Sequence, residues 1–438
     1  MTVAIVQVDE ERTKLAMDSD LGLKPLPSPQ EQKRIRRKKK APINFKLNKL
    51  LVKAESADDV LNLVGESLHD FNIVNIGTAL YRLAFVGGPL SPSSRDSVRC
   101  DDRFVDLISE IVETLQGDSE SEGLQQIVLA PKELSNIIWA ATKLGLSDDR
   151  LFNAVAKHVI QHIVHFDSVN LSLTLWGFAK MSQNHPELFK SARQRVTELL
   201  PEFEPHRICN TVWAYAKTGN TDLELFRMIA EESLRKLRRF NHSNESMLLY
   251  SYALGHVHAP VLFKRTMAQQ LPAIKSGEVQ DPRSLSNLLW AVSELELWTE
   301  FTELYDAVTR SAVANIHRYS LTHMATIASA FAKANIRSDD LFALMLSECE
   351  NRPINDPAML PDLVILRNSY ERLGLDCGIV GQSVETATAE IQEEIVHQEE
   401  QARQVKVRTF LAEVIGTSAI AGAVLILAAI VKIYFARA

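Results

Sequence analysis

Between residues 134 and 145 the apolar positions Leu134, Ile137, Ile138, Ala141 and Leu144 recur three and four apart, the spacing of one helix face. Gly145 follows as a left-handed stop, and Ser147 or Asp148 is placed to cap a second helix opening on Leu151-Phe152. The pattern predicts a helical hairpin, and it returns along the chain. Ser172 to Lys180 precedes Leu188-Phe189, and Cys209 to Gly219 precedes Leu225-Phe226. One aligned column runs Trp139, Trp176, Trp213, Tyr250, Trp290, Ser329 and Asn368, at successive spacings of 37, 37, 37, 40, 39 and 39 residues.

Other columns keep the same register. Four positions earlier stand Ser135, Ser172, Cys209, Ser246, Ser286, Ala325 and Val364, nearly all small. Two positions later stand Phe178, Tyr215, Tyr252, Phe331 and Tyr370, and the Leu-Phe pair returns at 262–263 and 341–342. A lone hairpin cannot bury its apolar faces, so neighbours stack. The expected fold is all-α, an α-solenoid of helical hairpin repeats of about 37–40 residues with a concave face. The small column lets adjacent helices approach, and Trp139, Trp176, Trp213, Tyr250 and Trp290 are expected as repeat core in the seam between them. An earlier, divergent copy spans Asn72 to Ala84 with Tyr81 in the Trp column, and an insertion around Gly87 to Arg99 separates it from the rest.

Five regions follow from this pattern. Residues 1–42 hold Pro25, Pro27 and Pro29 and then Lys33 to Lys40, where seven of eight positions are basic, and they form an expected disordered basic arm. That run suits nucleic acid or an anionic membrane surface, and equally a solvated charge run. Residues 43–130 form the divergent N-terminal repeat with its loop insertion, 131–379 the hairpin array and 380–413 an acidic amphipathic helix or stalk. Its heptad-like stripe, Ile391, Ile395, Gln398, Ala402, Val405, Thr409 and Ala412, fits a stalk or a partner helix. Residues 414–435 are expected to be a single transmembrane helix: Val414 to Val431 carry no charge and span about 27 Å as a helix. The expectation is a single-pass C-terminal anchor, with the topology open.

The chemistry-bearing motifs are few. The sequence holds no Gly-x-x-x-x-Gly-Lys, no Gly-x-Ser-x-Gly and no His-Glu-x-x-His, so no enzyme, cofactor or metal is expected. His158, His162 and His165 share a helix face without a carboxylate or thiol at ligand spacing, and Glu394-x-x-His397 occurs once. The four cysteines form no Cys-x-x-Cys pair, which fits a reducing compartment. One polar column does repeat. Four positions after the Trp column stand Lys143, Lys180, Lys217, Leu254, Glu294, Lys333 and Arg372. Five bases at one register form a ladder able to follow a sugar-phosphate backbone, or bases that complement the dipole of their own helix. The net charge is −7, and residues 131–375 hold 26 bases against 27 acids, without the basic excess of an extended phosphate-binding surface.

Leu134 to Gly145 and Cys209 to Gly219 resemble the octotricopeptide and heptatricopeptide repeats and the related FAST-kinase-like helical repeats, over residues 45–375. The resemblance implies an organellar helical-repeat protein of mitochondria or plastids that binds single-stranded RNA and acts in its processing, stability or translation. The chain departs from that family in its acidic N-terminus, and it is expected to carry a membrane helix in place of the appended nuclease-like domain. An anchor at Val414 to Val431 would put it in an organelle membrane. The alternative is a non-enzymatic scaffold whose concave face binds protein subunits of an organellar membrane complex.

Overall fold

A computed structural model describes residues 43–86, 91–116, 130–352, 354 and 356–417. The arm with Lys33 to Lys40 and most of the Val414 to Val431 segment lie outside them. Among the described residues there are helices and no strand. The chain divides into two compact units, Met1–Ala192 and Arg193–Ala438.

The first unit contains α1 (43–53), α2 (Ala57–Ser67), α3 (Ile73–Phe85), α4 (Pro92–Arg99), α5 (Asp102–Gln116), α6 (Pro131–Leu144), α7 (Asp149–His162) and α8 (Ser168–Lys180). The unit boundary falls inside α9 (Pro186–Leu199). The second unit continues with α10 (Pro205–Lys217), α11 (Leu223–Lys236), α12 (His242–Leu254), α13 (Pro260–Ser276), α14 (Pro282–Glu294) and α15 (Thr302–Asn315). It closes with α16 (Leu321–Ala334), α17 (Asp339–Glu350), α18 (Leu360–Arg372) and α19 (Gly378–Thr417).

First helices pack on first helices: α3 on α6 and α6 on α8 in one unit, and α10, α12, α14, α16 and α18 in series in the other. Small side chains make this approach possible. Ser135, Ser172, Cys209, Ser246, Ser286 and Ala325 are all buried. Ser135 Oγ donates to Asn170 Oδ1 of the next repeat at 3.0 Å, and the Cys209 thiol donates to Asn244 O at 3.2 Å. Gly177 marks the tightest point, where a methyl group would overlap Ile138 Cγ2 of α6.

Between the layers an aromatic joint recurs. Phe152 of α7 meets Phe178 of α8 edge to face with ring centroids 5.0 Å apart. Phe226 and Tyr252 repeat the contact at 5.2 Å, and Phe342 and Tyr370 at 4.9 Å. Each tyrosine also donates its hydroxyl to the carbonyl of its phenylalanine at 2.6 Å, which satisfies the one polar group an aromatic core would otherwise strand. A second joint was not read from the sequence. Lys236 Nζ donates to Leu200 O, Pro201 O and Phe203 O at 2.8–3.0 Å, and Arg352 donates to His317 O at 3.0 Å and to Tyr319 O. A cation at one register thus closes the open carbonyl end of the preceding second helix.

Every repeat turns its first helix with a left-handed residue six positions past the Trp column: Gly145, Ser182, Gly219, His256, Glu296, Asn335 and Gly374, with φ between 52° and 70°. Only three of the seven are glycine, so the sequence signal of the turn is weaker than the turn itself.

The membrane helix is corrected. No helix among the described residues is long and apolar enough to cross a membrane. The last one, α19, runs to Thr417 and carries Glu390, Glu393, Glu399, Glu400, Arg403 and Lys406, too many charges for a bilayer. The membrane localisation that rested on the anchor is withdrawn with it. The start of α19 belongs to the array, with Val380 and Val384 buried, whereas Gln401 to Lys406 are exposed.

One carboxylate is buried in the first-helix layer. Glu245 is 1% exposed, accepts from Gln270 Nε2 at 2.6 Å, and burial raises its pKa. A raised folded pKa contributes stability below the unfolded value of about 4.3 and loses it as pH rises through the folded value. Glu245→Gln is therefore expected to raise the urea midpoint at pH 7, with the gain vanishing below about pH 4. Gly177→Ala is expected to cost about 1–2 kcal/mol despite alanine's helix propensity, because Ile138 has no room to yield. Glu296→Gly is expected to gain about 0.5–1 kcal/mol by relieving the left-handed backbone.

Candidate functional site

On a helix that turns 100° per residue, the Trp column and the positions three before, seven before and four after it share one narrow face. The apolar and small columns occupy the remaining circumference and are buried. This shared face is therefore what each first helix leaves outside the packing. Trp139, Trp176, Trp213, Tyr250 and Trp290 are each half-buried. The expectation of a core column is corrected accordingly: the Leu-Phe pairs and the aromatics two positions after Trp fill the interior, and the tryptophans border it. A ring too large for the gap left by the small column packs its inner edge and leaves the rest in solvent.

In the first unit Tyr81, 38% exposed, stacks on Trp139 with centroids 4.9 Å apart and planes 27° from parallel. Lys143 Nζ lies 5.7 Å from the Trp139 ring centroid, within cation–π range. Phe85, 56% exposed, stands four positions beyond Tyr81, the register where later repeats carry the ladder. In the second unit Tyr250 and Trp290 pair at 4.7 Å, and burial raises the Tyr250 phenol above its usual pKa.

The ladder residues do not share one environment. Lys143, Lys180, Lys217 and Arg372 are exposed, each in the last turn of its first helix, where it also complements the helix dipole. Lys333 is half-buried and ion-paired with Glu294 of the preceding repeat. One polar column went unread in the sequence. Asn136, Asn210 and Asn287, three positions before Trp, are half-buried on the same face, and their side-chain amides have no hydrogen-bond partner among the described residues. The signal was available as an Asn at one register in three repeats.

The histidine trio does not converge on a ligand. His158 is buried with Nε2 2.6 Å from Leu115 O, and the rings of His158, His162 and His165 follow one another at 6.3 and 6.4 Å. No group among the described residues could hold a metal ion.

A family model, that of the RNA-editing substrate-binding complex 6 protein, matches residues 124–300. The match spans α6 through α14, and with them Lys143, Lys180, Lys217 and Glu294. It does not confirm the octotricopeptide and heptatricopeptide resemblance. No curated protein matches the chain.

The two aromatic classes separate by stability. Trp139→Ala is expected to cost about 1–2 kcal/mol and Phe178→Ala about 3–5 kcal/mol, measured by urea unfolding, because only the phenylalanine leaves a cavity.

Proposed function

We propose that this chain is a non-enzymatic helical-repeat protein that binds single-stranded RNA on the exposed faces of its first helices and acts in RNA processing. The observation that carries the reading is the composition of that face: half-exposed aromatic rings in five successive repeats, exposed lysines one turn after the ring in the first three of them, and carboxamides one turn before it in the first, third and fifth. Aromatic platforms hold single-stranded bases with about 1–3 kcal/mol each, and flanking cations take the phosphates. Rings in contact at 4.9 Å leave no slot for an intercalated base, so a base lies across their exposed parts. The match to a family named for an RNA-editing substrate-binding complex supports the same reading.

Protein partners are the second reading. Leu173, Met247, Leu254 and Ile365 stand on the same face in other repeats, and the charge balance of the repeats is close to neutral.

The test is single-stranded RNA binding by the full chain across a salt series, beside the variant with Lys143, Lys180 and Lys217 changed to Ala. The expected result is weaker binding by the variant, with a salt slope reduced by about 0.7 per lost phosphate contact and an unchanged melting temperature. A folded chain that binds no RNA at low salt would overturn the reading in favour of a protein partner.

A further inference from the structure

Glu294 is the one acid in the ladder column, at the position where four other repeats carry lysine. Its side chain is 19% exposed, and one oxygen pairs with Lys333 Nζ of α16. The other lies 3.8 Å from His256 Nδ1, just past the end of α12. A single carboxylate therefore reaches groups from the repeats on both sides of its own. Its pairing with Lys333 reproduces what a backbone phosphate would do there: an anion held against the ladder cation, on the same face as the aromatic column.

We propose that Glu294 is an internal stand-in for phosphate, which removes Lys333 from the cation ladder of the unit Arg193–Ala438. The proposal rests on the RNA-binding reading and concerns how that site is regulated. A phosphate arriving at Lys333 has to displace a carboxylate already in place and then sit beside its charge. Lys333 consequently contributes nothing to the salt dependence of binding, unlike Lys217 and Arg372, which have no ion-pair partner among the described residues. An exposed lysine that meets RNA sheds the counterions of the phosphate it neutralises, whereas an occupied one leaves that phosphate's counterions where they were.

The test is a double-mutant cycle on the full chain with a single-stranded RNA oligonucleotide, using Glu294→Gln, Lys333→Ala and the two together. Gln keeps the size and hydrogen-bonding capacity of Glu, and melting temperatures check that each variant is folded. Glu294→Gln is expected to tighten binding about fivefold at 0.1 M salt and to steepen the salt slope by about 0.7, the effect of one added single-strand phosphate contact. Lys333→Ala alone is expected to leave the salt slope unchanged, with no more loss of affinity than the repulsion of the unpaired Glu294 causes, and in the Glu294→Gln background to abolish the gain. A salt slope made shallower by Lys333→Ala alone, or no gain on Glu294→Gln in a chain whose binding still depends on Lys143, Lys180 and Lys217, would overturn the proposal and leave the RNA reading standing. Absence of RNA binding in every form would overturn both.

Discussion

The closeness with which neighbouring first helices approach is the constraint on which the rest depends. It requires small residues at the crossing, so Ser135, Ser172, Cys209 and Ser246 are buried with little volume, and Gly177 has none at all. Backbones that come this near leave no interior for a large ring at the adjoining register. The tryptophans are displaced to the border of the layer, and the bulk of the core moves to the second layer, where Phe152, Phe226 and Phe342 press edge-on against the aromatics of the next repeat. Packing thus decides which aromatic column is structural and which is available.

That displacement brings the candidate chemistry together. A half-exposed ring, an amide one turn before it and a cation one turn after it fall on a single stripe because three and four residues are each close to one turn. No loop has to organise them. The stripe also explains why overall charge is a poor guide: near-neutrality over residues 131–375 arises from acids spread around the helices, while the exposed last turns carry Lys143, Lys180 and Lys217.

The repeat and its register were legible in the sequence because the small, aromatic and Leu-Phe columns hold a fixed spacing that only stacked helical hairpins require. The depth of each column was not. Trp139 and Phe178 are both large aromatics near the middle of a helix, and periodicity alone does not say which lies beside the neighbouring backbone and which lies under it. The pairing of Glu294 with Lys333 was equally hidden, since the two stand 39 residues apart and meet only after the helices stack. The uncharged run from Val414 signalled a membrane helix by composition alone; most of that run lies outside the described residues, and no helix among those is long and apolar enough to cross a membrane.

The left-handed corners at the ends of the first helices have a further implication. A glycine there leaves the rim bare, but Ser182, His256, Glu296 and Asn335 each set a side chain at an identical backbone station beside the ladder. Within the second unit His256, Glu296 and Asn335 form an edge whose chemistry can change from repeat to repeat without disturbing either helix, since the geometry belongs to the turn and not to the side chain. His256, which reaches Glu294 from such a corner, shows that the edge and the ladder are within conversation distance. An array built this way has two registers in which to write, one along the helix face and one along its rim.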